Sequence, residues 1–131
     1  MIQTFEVSTR SRDDWVDITA LVRETVREAE LDEGIATVFV PHTTAGVTIQ
    51  ENADPPLKED ITRALDGLFP WQGNYRHCED NAAAHLKTCY MGNSAQVLFR
   101  DGELIRGTWQ NIYLCEFDGP RQRSVIVKVS P

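Results

Sequence analysis

The sequence predicts an α+β fold: a mainly antiparallel sheet system carrying about three helices. Three observations predict it. Short runs rich in β-branched and aromatic residues are bounded by Gly, Pro and Asn/Asp turn signals, three segments between them carry helical stripe, cap or propensity signals, and the last third is a strand meander with tight turns. A doubly wound parallel sheet would instead alternate strands with helices to the end of the chain. At 131 residues the chain suits a single domain spanning 1–131, burying roughly two-thirds of its unfolded surface.

The segment Met1 to Val7 alternates apolar with polar residues and reads as a strand; it lacks the basic start, apolar run and cleavage site of a secretory signal. After the polar turn Ser8 to Asp14, a helix is predicted to begin within Trp15-Val16-Asp17-Ile18-Thr19, capped by Asp17 or Thr19. Val22, Val26 and Ala29 follow at helical spacing, with Gly34 past the end. The acidic run Glu28 to Glu33 is its solvated face and end. Ile35 to Val40 reads as a buried strand stopped by Pro41, and Val47 to Gln50 alternates again, so two strands flank the polar turn at His42 to Gly46.

Asp54-Pro55-Pro56 joins a capping side chain to proline at the first helical position, predicting a helix from about Pro55 to Leu65 that ends near Gly67. Leu68 to Arg76 is a loop with aromatic anchors. Asn81 caps a third helix through Ala82-Ala83-Ala84-His85-Leu86-Lys87, which Gly92 can terminate. The strands Gln96 to Arg100 and Glu103 to Arg106 are joined by the hairpin signal Asp101-Gly102, and Thr108 to Phe117 and Arg121 to Val129 by Asp118-Gly119-Pro120.

Composition narrows the function classes. The longest apolar runs reach strand length, well short of the ~20 residues of a membrane helix, so no membrane partner and a cytoplasmic location are expected. Three cysteines without a C-x-x-C pair argue for reduced thiols and against a zinc ribbon. A net charge of −7 disfavours nucleic acid, while a small anionic ligand needs only a local cluster of donors. The glycine patterns of dinucleotide and phosphate loops are absent.

His42 follows a strand, His77 lies in a loop and His85 in a helix's first turns. Three neutral imidazoles with one open position form a recurrent catalytic zinc site, although these intervals match no compact ligand motif; singly, each reads as an ordinary hydrogen-bonded imidazole. Glu79 and Asp80 follow His77, and Glu51, Asn52 and Asp54 follow the His42 turn; a carboxylate there could orient an imidazole or act as general base. Helix capping is the plainer account of Asp54 and Asn81, and small apolar packing that of Cys78 and Cys89. Arg121 and Arg123 have strand period and could grip a phosphate from one face, or decorate a solvated edge strand. Trp109 could stack on a planar ligand, core packing being the simpler reading.

Taken together, His42-Thr43-Thr44-Ala45-Gly46-Val47-Thr48-Ile49, Glu51-Asn52-Ala53-Asp54-Pro55, Asn81-Ala82-Ala83-Ala84-His85-Leu86-Lys87, Gly107-Thr108-Trp109-Gln110 and Glu116-Phe117-Asp118-Gly119-Pro120-Arg121 resemble the ordered motifs of the YjbQ-like proteins over nearly the whole chain. The resemblance implies a homotrimer with polar pockets near subunit boundaries, and a weak activity joining a pyrimidine diphosphate to a thiazole phosphate, since members are often labelled secondary thiamine-phosphate synthases. It maps the family's histidines onto His42, His77 and His85 and its acidic block onto Glu51, Asn52 and Asp54; with the three imidazoles converging, they are expected to ligate a divalent metal, zinc first. The chain departs from the family pattern at Cys78-Glu79-Asp80, where glycine-containing variants are expected.

On this reading Glu51 and Asp80 are the catalytic candidates, and Thr43, Thr44, Asn52, Lys87, Trp109 and Arg121 the substrate contacts. The expected function is an enzyme acting on a small phosphorylated or otherwise anionic metabolite at a His-lined, metal-containing site. A metal-assisted hydrolase and a non-catalytic metal or small-ligand module are its rivals. The missing basic, glycine-rich diphosphate cradle counts against thiamine-phosphate synthesis as the principal activity.

Overall fold

Each strand's alternation is resolved in the computed structural model, which describes residues 1–131, by the sheet it joins. The elements are β1 (Ile2–Ser8), β2 (Asp14–Asp17), α1 (Thr19–Ala29), β3 (Glu33–Phe39), β4 (Ala45–Glu51), α2 (Pro55–Leu68), α3 (Ala82–Met91), β5 (Ser94–Arg100), β6 (Glu103–Ile105), β7 (Gln110–Glu116) and β8 (Gln122–Ser130). They form a five-stranded sheet in the order β1-β8-β3-β5-β6 and a three-stranded sheet in the order β2-β7-β4. Every pairing is antiparallel. The α+β class, the antiparallel sheets and the three helices are as the sequence predicts.

The main core lies between the sheets. Val38, Val97, Phe99, Val125 and Val127 of the larger sheet meet Val47, Ile112 and Leu114 of the smaller one, and α1 closes the cluster with Val22 and Val26. The opposite face of β7 supplies Tyr113 and Cys115 to a second cluster with Phe117, Leu65 of α2 and Ala84 of α3. The three-stranded sheet is therefore a middle layer, apolar on both faces along β7, which explains why β7 reads as a continuous apolar run. No helix is long and apolar enough to cross a membrane.

Local signals hold where they are strictly local. Asp101 and Gly102 take φ of 55° and 74°, the two left-handed residues of a type I′ turn, and β5 and β6 pair across them. The Asp17 carboxylate accepts the Thr19 N–H at 3.0 Å at the start of α1.

Three expectations are corrected. Asp14–Asp17 is a strand on the edge of β7, not the entry to α1; four residues with charged ends carry no periodicity of their own. The turn Asp118-Gly119-Pro120 does not close a hairpin, because β7 and β8 lie in different sheets. And β8 is interior to its sheet, between β1 and β3, so Arg123 is not a solvated edge charge but is buried.

The chain crosses between the sheets six times, and two of these crossovers shape the site, from β3 to β4 through residues 40–44 and from β7 to β8 through residues 117–121. The crossovers touch, with the Phe117 N–H donating to the Thr44 carbonyl at 3.1 Å. Here the buried Glu116 carboxylate accepts five hydrogen bonds: from Arg123 Nε and Nη2, from Thr9 Oγ1, and from the Phe117 and Asp118 N–H groups. A side chain at Gly119 would place Cβ 2.4 Å from the Ser11 carbonyl oxygen and 2.8 Å from Thr9 Oγ1, so the crossover needs glycine to pass this network.

Removing one partner of a buried ion pair strands the other charge, at about 3–5 kcal/mol. Glu116→Ala and Arg123→Ala are each expected to lose stability of that order in urea denaturation. The combined Glu116→Leu, Arg123→Met variant should recover most of it; unchanged midpoints in the single variants would show that the pair does not hold the crossovers together.

Candidate functional site

The first wall of the site is the β3–β4 crossover. Asn93 Nδ2 donates to the carbonyls of Val40, His42 and Ala45 at 3.3, 2.9 and 3.4 Å, which pins the turn after Pro41 leads the chain away from its sheet. The β3–β8 ladder ends at Phe39 opposite Ile126. The next amide in need of an acceptor, Ser124 N–H, donates to His42 Nε2 at 2.9 Å. An imidazole nitrogen that accepts is bare, so the neutral ring carries its proton on Nδ1. Burial, and after it the Arg123 cation, holds the His42 pKa below the ordinary imidazole value, the nearby Glu116 and Glu6 carboxylates opposing.

The second wall is the start of β8. Arg123 Nε and Nη2 are held by Glu116, and Nη2 also donates to the Thr44 carbonyl at 3.2 Å and to Thr44 Oγ1 at 2.8 Å. Its Nη1 has no partner. The one enclosed side-chain atom without a hydrogen bond is Asn81 Oδ1, so Nη1 is not sealed in, and Arg123 lines the cleft. Burial alone would raise the Glu116 carboxyl; the hydrogen bonds from Arg123, the Asp118 N–H and Thr9 outweigh it and keep the carboxyl below its usual range. Arg121, exposed, is braced by Nε to the Asp118 carbonyl at 2.7 Å and by Nη2 to Asp118 Oδ2 at 3.1 Å.

The third wall is the N-terminus of α3. Asn81 Nδ2 donates to the same Asp118 Oδ2 at 2.9 Å, which ties the helix start to the Arg121 brace, and Glu79 and His85 face the space between the walls. The cleft so formed has a volume of about 350 Å³ and no hydrophobic residue in its lining.

Among the predicted site residues, His42, Thr43, Thr44, His85 and Arg121 converge here. His77 stands next to His85, ring centroids 4.8 Å apart and edge to face, but opens with Asp80, Trp71 and Tyr75 onto a neighbouring cleft of about 250 Å³. Asp80 adopts a left-handed φ of 57°, a conformation that aspartate and asparagine tolerate better than most residues. Lys87 does not reach the cleft: it is fully buried and donates to Asp13 at 3.0 Å and Asp66 at 2.6 Å. Glu51 accepts the Ala53 and Asp54 N–H groups at 3.0 and 2.8 Å, doing at the head of α2 what was expected of Asp54, whose side chain makes no cap. Asn52 donates to the Thr108 carbonyl and to Asn111, and Trp109 is 61% exposed, not core. Glu51, Asn52 and Trp109 sit at the far end of β4 from the His42 turn, seven residues or roughly 20 Å of strand away.

The histidines do not fit a zinc centre within one chain. No group of three or more His, Cys, Asp or Glu side chains is placed to hold a metal ion, and His42 Nε2 is already used by Ser124. Cys78 and Cys89 are exposed and Cys115 buried, all three free. A larger cleft of about 460 Å³ between β2 and α2 contains no predicted site residue, and its Asp13 and Asp66 are taken up by Lys87.

Ser124, Asn81 and Glu116 gained no functional role from the sequence. The period-two spacing of Arg121 and Arg123 was the usable signal for the second wall, whereas nothing local marks Ser124, whose role comes from an amide left over where a ladder ends.

Residues 3–131 match the family model described as UPF0047 protein YjbQ-like. The chain is 46% identical over 130 residues to the UPF0047 protein YugU of Bacillus subtilis, covering 98% of each, and 43% identical over 129 residues to a UPF0047 protein of Methanocaldococcus jannaschii, covering 98% of this chain and 94% of that one. Among solved structures, an uncharacterised conserved protein of the YjbQ/UPF0047 family from Clostridium acetobutylicum superposes with a TM-score of 0.96 at 48% identity, covering 98% and 99% of the two chains. A YbjQ-like protein of unknown function from Sulfolobus solfataricus gives 0.94 at 36% identity, covering 98% and 95%.

A histidine whose pKa is lowered by folding leaves the unfolded chain binding more protons below its ordinary value near ~6.5. Its contribution to stability is complete above that pH and lost as pH falls through the folded value. Melting temperature is therefore expected to drop from about pH 7 to about pH 5 in the wild type and less steeply in His42→Asn; equal slopes would remove His42 as the cause.

Proposed function

The chain belongs to the UPF0047 YjbQ-like family, and from that premise we propose that it is a small-molecule enzyme whose cleft between His42, His85 and Arg121 holds the oxyanion of a phosphorylated or otherwise anionic metabolite. The observation that carries this reading is Arg123, a buried guanidinium locked by Glu116 and Thr44 with Nη1 left toward the cleft. A donor fixed before the ligand arrives loses little entropy on binding, and its charge-assisted bonds are stronger in a partly desolvated site. Arg121, braced by Asp118, adds a second cation at the mouth.

Across from these donors, Glu79 and His85 are the groups able to move a proton at a bound substrate. The thiamine-phosphate synthase activity that the resemblance implies would use the donors for the departing pyrophosphate. Because the cleft offers two arginines and no glycine-rich cradle, that reaction is proposed as a weak one beside a different main substrate. Metal-assisted hydrolysis and binding without turnover are the alternatives, separated by assaying phosphate esters and thiamine precursors with chelator and with added zinc.

A homotrimer is proposed with it. The outer face of the five-stranded sheet pairs Ile35 with Leu98 and Leu98 with Ile105; Leu98, Ile105 and nearby Phe39 are exposed, an apolar surface that subunit contact would cover. Sedimentation at micromolar concentration should give three times the chain mass, and a monomer would confine each site to one chain.

Titration with inorganic phosphate and simple phosphate monoesters tests the cleft. Arg121→Ala is expected to weaken binding about tenfold or more, with Arg121→Lys restoring only part. If the variants melt lower but bind as well as the wild type, Arg121 is only a brace for the crossover.

A further inference from the structure

We propose, resting on the oxyanion reading of the cleft, that His42 enters it as a neutral imidazole donating Nδ1–H to the ligand beside Arg123 Nη1, and not as a metal ligand. The bound group then presents unprotonated oxygens to these donors, as the dianion of a phosphate monoester does.

The argument begins in the backbone. Interior strand β8 loses its β3 neighbour beyond the Phe39–Ile126 pair, and Pro41 carries the chain away. The Ser124 amide would be left without an acceptor there, a costly state for a backbone donor in a half-buried interior strand. His42 Nε2 fills the vacant ladder position at 2.9 Å. A backbone N–H can only donate, so it selects the tautomer, as a hydrogen bond on one ring nitrogen does for the other. The ring orientation is equally determined, because turning it over would set a carbon against the amide.

Metal binding is then blocked at both nitrogens. A metal on Nε2 would displace the Ser124 bond, and a metal on Nδ1 would require loss of the second proton from a ring whose other nitrogen stays committed. Ligating histidines usually show the reverse, donating their free N–H to an acceptor. At His42 the outer nitrogen faces a donor instead.

Both crossover walls consequently offer hydrogen-bond donors: Nδ1–H of His42, Nη1 of Arg123 and the guanidinium of Arg121. A neutral imidazole supplies its donor without adding a third cation beside two arginines. The acceptor group, the Glu79 carboxylate, belongs to the α3 wall. The oxyanion is therefore assigned to the crossover side, and whatever hydroxyl or amine the ligand carries turns toward α3.

Asparagine and glutamine at position 42 separate the two halves of the ring's role, since the asparagine amide nitrogen overlays Nδ1 and the glutamine amide reaches the Nε2 position. In chelator-treated full-length protein, long-range proton–nitrogen NMR, assigned from the signal missing in His42→Asn, is expected to show His42 with a protonated Nδ1 and a bare Nε2. Inorganic phosphate should bind His42→Asn within a few-fold of wild type but His42→Ala and His42→Gln about tenfold or more weakly. Melting temperature should be better kept by His42→Gln than by His42→Ala. A protonated Nε2, a shift of either His42 nitrogen on adding zinc, or a His42→Asn variant as impaired as His42→Ala would overturn the role of His42. Wild-type protein that binds no phosphate would instead overturn the oxyanion reading, and with it the ligand named here.

Discussion

The ion pair between Glu116 and Arg123 is the constraint on which the rest depends. Two carboxylate oxygens with five donors, on a residue 1% exposed, are tolerable only because the network is complete; a partly satisfied buried charge would cost more than an apolar pair of the same volume. The network joins the last residue of β7 to the second residue of β8, and therefore one sheet to the other, at the point where no backbone ladder can do so. Thr9, arriving from β1, exchanges hydrogen bonds with Arg121, its N–H donating to the carbonyl and its Oγ1 accepting the amide. Thr44, arriving from β3, accepts from Arg123. Four chain segments thus meet around one carboxylate, and the glycine at 119 is the space they leave.

The candidate site is a by-product of that joint. Where a chain leaves one sheet for another, strand partners are missing, and some donors of the remaining strand turn to side chains: Ser124 N–H turns to His42, and Arg123 has a terminal nitrogen left over after holding the crossovers. Preorganisation follows without extra cost to folding, because the residues that aim the donors are the ones that stabilise the crossovers. The residues proposed to bind and the residues that hold the crossovers are therefore the same in part, and substitutions here are expected to alter stability together with any binding.

Lys87 and Arg123 show how similar signals separate in three dimensions. Both are buried cations paired to acidic side chains. Lys87 lies on α3 against Asp13 and Asp66 with its side chain 1% exposed, so it serves only to clamp the α3 and α2 helices to the turn before β2. The planar guanidinium of Arg123 can satisfy Glu116 through one edge and still present another, which an ammonium that points at two carboxylates cannot do. The residue type matters as much as the charge.

The sequence by itself determined the elements and their chemistry. Alternation marked β1 and β4, caps and prolines placed α2, Asp101-Gly102 declared its hairpin, and the spaced blocks around His42, His85 and Arg121 pointed to the residues that gather in the cleft. The structural signals are short in range, each set by a residue's preference for its own φ and ψ or by the period of its neighbours, whereas the blocks pointed to a shared site only through the resemblance they carry. Tertiary structure alone decided which strands are partners, because alternation shows that a strand has a buried face but not what covers it: Asp118-Gly119-Pro120 reads as a hairpin turn and is a crossover, and Asp14–Asp17 becomes a strand only beside β7. It also decided which polar residues are free. Lys87 and His42 each had a plausible role in sequence, yet their protons and lone pairs were assigned by groups 74 and 21 residues away for Lys87 and 82 away for His42, and only the fold brings such donors and acceptors within reach of one another.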